Sequence, residues 1–183
     1  MSENKRKLEV LNDNLLKCEK CTLIKEGECP VQPMMGKNLH YIFLGYIPSA
    51  EDKLYGEIFS DLTQKGKNLR RLIALAGISL QDCYFTNVMK CHTKIKIKPT
   101  DVTRAYECYF HWLYRELELV KSRIIFTLGK KSKEFCDLYI KDRYMVELPD
   151  INMMLMMGDG ETIKMMEDGI NGYKQQLPSS VRL

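Results

Sequence analysis

A chain of 183 residues, 45% hydrophobic and 28% charged, has the composition of a globular protein of one ordinary domain that can bury a core without disulfide staples. No uninterrupted apolar stretch approaches the length of a bilayer span, and the opening MSENKRKLEV carries charge without an apolar core or a small-residue cleavage site, so neither membrane insertion nor secretion is expected. A formal net charge of +4 is too small to name a nucleic-acid partner, and the clustering of the charge says more.

In chain order, residues 4–17 place Leu8, Leu11, Leu15 and Leu16 at the three-four spacing of an amphipathic helix that delivers the chain into Cys18. YIFLG (41–45) is a short apolar run ending in glycine and reads as a buried strand. Helical spacing resumes over 62–76, with Gly77 as the stop signal, and CYFTNVM (83–89) is the next strand. Pro99 opens a helix that runs to about Val120; RIIFTLG (123–129) is a third strand, followed by a helix over 130–140. INMMLMMG (151–158) reads as a fourth buried strand and 161–176 as a last helix.

Alternation of strand and helix predicts an α/β fold in three layers, α/β/α, around a central, mostly parallel four-stranded sheet. Ligands in such folds gather at the carboxyl ends of the strands, here the Gly45 turn, Asn87 and Gly129. Six of the eleven methionines fall between Met153 and Met166, as core or as a face for a protein partner. Basic residues form three groups: Lys65, Lys67, Arg70 and Arg71; Lys90, Lys94, Lys96 and Lys98; Lys130, Lys131 and Lys133. Each is either a solvated face or a phosphate contact.

Seven cysteines in a chain without a secretory signal point to ligands, core residues or reactive thiols rather than to disulfides. Cys18 and Cys21 form a CxxC, Cys91 ends the second strand and Cys108 lies in the following helix. One close pair and two spread thiolates suit either a structural zinc or an iron–sulfur cluster, with the spacing favouring the cluster. Cys83 and Cys136 sit in apolar patterns and read as core, while Cys29 is an alternative ligand.

The series KCEKCTL, FLGYIPSAED, GEIF, GKNLRRLIALAGI, CYFTNVMKCHT and the stretch from PTDV to TLGK resembles the iron–sulfur uracil-DNA glycosylases of the family 4 type, in order and separation, over about residues 15–135. The resemblance implies a [4Fe-4S] cluster on Cys18, Cys21, Cys91 and Cys108, the uracil-glycosylase sandwich fold over residues 1–183, an N-terminal cluster-binding segment and a divergent region at 144–183. It also implies DNA, uracil-containing or single-stranded, as the partner, in an intracellular setting such as the cytoplasm or nucleoid, cellular or viral. Lys65, Lys67, Lys94, Lys96, Lys98, Lys130 and Lys131 are then the candidate phosphate contacts.

Excising uracil requires an extruded nucleotide, a reader for the base edge, a surface for its face and stabilisation of the charge that develops as the bond breaks. By resemblance Asn87 reads the edge, Phe59 stacks on the face and Tyr46 borders the base. Two positions depart from the family. Its first motif carries a glutamate where this chain has Tyr46, and its late histidine, placed before a proline after the last strand, has no counterpart, because His40, His92 and His111 all precede the third strand. Glu51, Asp52 and Asp159 are the candidate replacements. Two readings follow: a glycosylase with rebuilt and weakened catalytic groups, or a DNA-binding accessory module of a replication or repair assembly that has lost the chemistry.

Overall fold

Aromatic and branched residues on both faces of successive strands require cover on both sides, and the fold supplies it. The computed structural model describes residues 3–93 and 99–178. Strands β1 (Met34–Met35), β2 (Tyr41–Gly45), β3 (Cys83–Asn87), β4 (Ile124–Leu128) and β5 (Tyr144–Leu148) form one sheet in the order β1-β3-β2-β4-β5. Pairings of β2 with β3 and β4, and of β4 with β5, are parallel; the short β1 runs antiparallel at the edge.

On one face Ile42, Leu44, Tyr84 and Ile125 pack with the apolar stripe of α1 (Glu3–Leu15), with α6 (Tyr114–Val120) and with α7 (Lys130–Tyr139). Helix α5 (Pro99–Cys108) reaches α6 through a π-helical turn, Tyr109–Leu113, so one continuous rod covers this side. On the other face Phe43, Phe85 and Phe126 stand in register on adjacent strands, with rings stacked 5.2 and 4.8 Å apart. They pack with α4 (Gln64–Leu75), α8 (Ile151–Met157) and α9 (Asp159–Gln176). The architecture is an α/β/α sandwich, as the alternation of elements predicts. Among the described residues no helix is long and apolar enough to cross a membrane.

The fourth parallel strand is not where the methionines suggest. Residues 151–157 are helical, and the strand is YMVEL, 144–148. Asp150 accepts the backbone N–H groups of Asn152 and Met153 at 2.9 and 3.2 Å, an N-cap that starts the helix. Burial then falls on Ile151 and Met154, one helical turn apart, while Met156 is 86% exposed. With β1 added, the sheet has five strands rather than four.

Cys83 and Cys136 are buried, as their apolar settings predict, and burial pushes both thiols up to about 12, aided by Asp82 and Asp137 respectively. Thiols of the unfolded chain ionise near ~8.5, so the native state holds these two protons where the unfolded chain releases them. Stability is therefore expected to be unaffected by these groups below pH ~8.5 and to fall between ~8.5 and 12, by about 1.4 kcal/mol per pH unit for each thiol. Urea midpoints measured across that range, with Cys83→Ala and Cys136→Ala as controls that flatten the slope, check this.

Candidate functional site

The carboxyl ends of β2 and β3 lie side by side, with Gly45 paired to Asn87 in the parallel register. Asn87 is 1% exposed, and neither its Oδ1 nor its Nδ2 has a hydrogen-bond partner among the described residues. A buried amide left unpaired costs about 1–3 kcal/mol, so the position is unfavourable for folding alone. Gly45 leaves it room: a Cβ there would lie 2.0 Å from Asn87 Oδ1 and 3.1 Å from Phe59 Cζ. Gly45→Ala is expected to cost about 1–3 kcal/mol by overpacking and to displace the Asn87 amide, which a urea midpoint and the Asn87 side-chain amide NMR signals would report.

Phe59 reaches this point through an unusual backbone. Its φ is 51°, the left-handed region that phenylalanine rarely enters. Three side chains hold it there. Asp52 Oδ1 accepts the Phe59 N–H at 2.8 Å, Arg70 Nε donates to the Phe59 carbonyl at 3.1 Å, and Arg70 Nη2 pairs with Glu57 Oε1 at 3.1 Å. Helix α4 also comes close enough that a Cβ on Gly66 would lie 2.0 Å from the Ser60 carbonyl oxygen. Sequence reasoning missed Arg70 and Gly66; Arg70 is a loop clamp rather than a member of a free basic face.

Of the candidate carboxylates, Asp52 is buried and fully engaged. Besides Phe59, it accepts Ser49 N–H and Ser49 Oγ–H at 2.8 and 2.7 Å in the capping box that starts α3 (Ala50–Tyr55). Glu51 is exposed in the first turn of the same helix. Asp159 is gripped by both terminal nitrogens of Arg71, one at 2.7 Å, and that guanidinium holds its carboxyl below the usual range. Since the last strand is β5, the residues after it are Pro149 and Asp150, and Asp150 rather than Asp159 is the acidic residue there. The methionine-rich run drew the strand too far along the chain.

Tyr46, Ile47, Gly129, Lys130, Lys131 and Asp150 line a cleft of about 440 Å³ at this edge of the sheet. It faces the amino end of α7, where Gly129 caps the helix without a side-chain bond and leaves N–H groups to an incoming anion. Lys67 is exposed and Lys65 half-buried in the first turn of α4. Lys94, Lys96 and Lys98 lie outside the described residues. Beyond β3, His92 Nδ1 donates to the Pro48 carbonyl at 2.9 Å, tying the two loops that flank Gly45 and Asn87.

Lys90 departs most from its reading as part of a basic loop. It is 1% exposed, and its ammonium donates to Glu116 Oε2 at 2.7 Å and to Thr86 Oγ1 at 2.6 Å; Thr86 Oγ1 also donates to the same Glu116 oxygen. Burial lowers the Lys90 pKa, and Glu116 opposes that shift. This triad anchors the chain on either side of Asn87 to α6.

The metal expectation is corrected. Cys18, Cys21, Cys91 and Cys108 border one small enclosed space, but among the described residues no group of three or more His, Cys, Asp or Glu side chains is disposed to hold a metal ion. Neither a [4Fe-4S] cluster nor zinc is supported at these residues. Cys91 belongs to the buried core and Cys108 is buried, with Cys18 and Cys21 packed against the core's edge, where a free thiol serves as a small hydrophobe. Burial raises the Cys108 thiol to about 11 and Cys91 further, and Cys29 is exposed.

The uracil DNA glycosylase superfamily matches residues 33–172, well over half of the chain. The chain belongs to the uracil DNA glycosylase superfamily. A type-4 uracil-DNA glycosylase of Archaeoglobus fulgidus is 30% identical over 131 residues, covering 70% of this chain and 64% of that protein. Similar enzymes from Saccharolobus solfataricus and Thermotoga maritima are 31% and 26% identical over 130 and 128 residues, again 70% of this chain. The matches span 58% and 65% of those two proteins, so this superfamily member aligns with about three fifths of each relative's length. Its α/β/α fold is the one expected of that superfamily, whereas an iron–sulfur centre is not supported at its cysteines.

Proposed function

We propose that the protein binds DNA at the carboxyl edge of its sheet and takes an extruded uracil beside Asn87 and Phe59, with little or no excision of the base. The unpaired, buried amide of Asn87 carries this reading. An amide offers an acceptor and a donor side by side, matching the N3–H and O4 of uracil, and a bound base would satisfy both orphan atoms at once. Phe59, held in its left-handed conformation next to Gly45, supplies an aromatic surface within reach of the same space. Lys130, Lys131 and the amino end of α7 border the adjoining cleft, where a strand's phosphates would lie, and Lys65 and Lys67 extend the charge.

Weak chemistry follows from what surrounds this space. Tyr46 occupies the position where the resemblance places a glutamate, and no histidine follows the last strand; a neutral phenol does not stabilise developing charge well. Asp52 is committed to three donors and Asp159 to Arg71, which removes two of the three candidate replacements. Each missing stabiliser is worth about 2.7–4 kcal/mol, so losing two lowers the rate by several powers of ten. The accessory-module reading is therefore preferred over an efficient enzyme.

Uracil-containing single- and double-stranded oligonucleotides, assayed for binding across a salt series and for base release, test the proposal. Binding that weakens steeply with salt, stronger for uracil than for thymine, together with release near background, is the expected result. Release at an efficient, Asn87-dependent rate would overturn the non-catalytic part, and absence of binding at low salt would overturn the whole.

A further inference from the structure

A cavity of about 730 Å³ lies at the opposite edge of the sheet, against the amino ends of β2 and β4. Tyr41 and Gly45 bound β2, so the two edges are roughly 13 Å apart along one strand, and no base held at Asn87 reaches this space. The cavity has an apolar interior and a charged mouth. Buried Leu39, Val120 and Ile124 and half-buried Tyr41, Ile170 and Tyr173 supply the former. Lys121, Arg123 and Lys174 supply the latter; all three are exposed, and none has an acidic partner among the described residues. Exposed Asn171 adds an amide, and burial, with Asp82 and Cys83, raises the Tyr41 phenol, which keeps it a neutral hydroxyl.

Its walls are built rigidly. Three non-glycine residues among those described have positive φ; one is Phe59, and the other two, Leu39 at 58° and Lys121 at 56°, both line this cavity. Left-handed leucine and lysine are costly and persist where surrounding structure enforces them. Ser122 does so here, with Oγ 2.6 Å from the His40 carbonyl oxygen and 2.9 Å from that of Ile124, joining the loop before β2 to the loop before β4.

We propose that this cavity is a second ligand site, independent of the uracil-reading edge, that takes a nucleoside monophosphate. Three unpaired cations at the mouth call for a compact anion such as phosphate. The tyrosine and aliphatic interior calls for a flat, largely apolar body, and the amide for polar atoms on that body's edge. Inorganic phosphate would leave the interior empty, and a fatty acid would leave the amide unused. The volume falls within the range of small-molecule sites.

Calorimetric titration of the protein with dUMP, dAMP, uridine and inorganic phosphate tests this. Saturable binding of the monophosphates, at least roughly tenfold tighter than of uridine or phosphate, is expected. Arg123→Glu with Lys174→Glu, both on exposed side chains, should weaken it at least roughly tenfold, Ile170→Trp should do so by filling the interior, and Asn87→Ala should leave the binding of dAMP, which carries no uracil, unchanged. Equal affinity for inorganic phosphate, absence of saturable binding, or loss of dAMP binding in Asn87→Ala with retention in the charge-reversed variant would overturn the proposal. A 5′-phosphorylated oligonucleotide that binds tighter than dUMP and is lost with the same two charges would also overturn it, in favour of a strand-end site.

Discussion

Replacing Lys90 by methionine alone is expected to lower the unfolding free energy by about 3–5 kcal/mol, and Glu116→Leu alone by a similar amount. Each change leaves the partner's charge in a place that water does not reach, without its counter-ion and with the Thr86 hydroxyl as its hydrogen-bond partner. The asymmetry between breaking the pair and removing it provides the check. The triple replacement of Thr86 by valine, Lys90 by methionine and Glu116 by leucine removes all the polar groups of the triad, and much of the loss should be recovered. Urea unfolding of the four proteins measures this, and single variants as stable as the parent would show that the burial of Lys90 has been misread. An exposed lysine of a DNA-contacting loop predicts the opposite pattern: little change in stability and a weaker salt dependence of DNA binding.

Asn87→Ala is expected to move stability and recognition in opposite directions. Loss of an amide that makes two hydrogen bonds to uracil should erase about 1–3 kcal/mol of preference for uracil over an abasic or thymine-containing strand. Removing the same amide from the free protein also removes two buried atoms that lack partners, which offsets the cost of the smaller side chain. The urea midpoint should therefore stay level or rise while uracil preference disappears. A strand-end residue kept only for packing would give the reverse, a destabilised protein with unchanged discrimination. Competition binding with uracil, thymine and abasic oligonucleotides, run beside the unfolding titrations, separates the two.

Much of this molecule is legible in the order of its residues. Alternating apolar runs closed by glycine mark β2 and β4, and helical spacing marks α1, α4, α7 and the rod from Pro99 to Val120, because these signals are local and repeat within a few residues. The same reading fails at 144–158. YMVEL is short, bounded by Arg143 and Pro149, and its helical neighbour INMMLMM is apolar nearly throughout, so period alone cannot say which of the two is the strand. The Asp150 cap resolves it, and that is a matter of backbone geometry.

Sequence by itself also singled out Asn87 and Phe59 through their motifs, but not the state in which they are held. That Phe59 is left-handed, that Asp52 is spent on Ser49 and Phe59, that Arg70 clamps a loop and that Lys90 is buried against Glu116 all depend on groups 3 to 26 residues apart meeting in space. The four cysteines show the same limit: their spacing suggested a metal centre, whereas Cys91 and Cys108 are buried and Cys18 and Cys21 pack against the core's edge. Residue types determined which elements form and which edge of the sheet bears polar chemistry. Only tertiary contact decided which polar atoms are already paired and which, like the Asn87 amide, remain to be satisfied, because hydrogen-bond satisfaction is set by neighbours in three dimensions and not by neighbours in the chain.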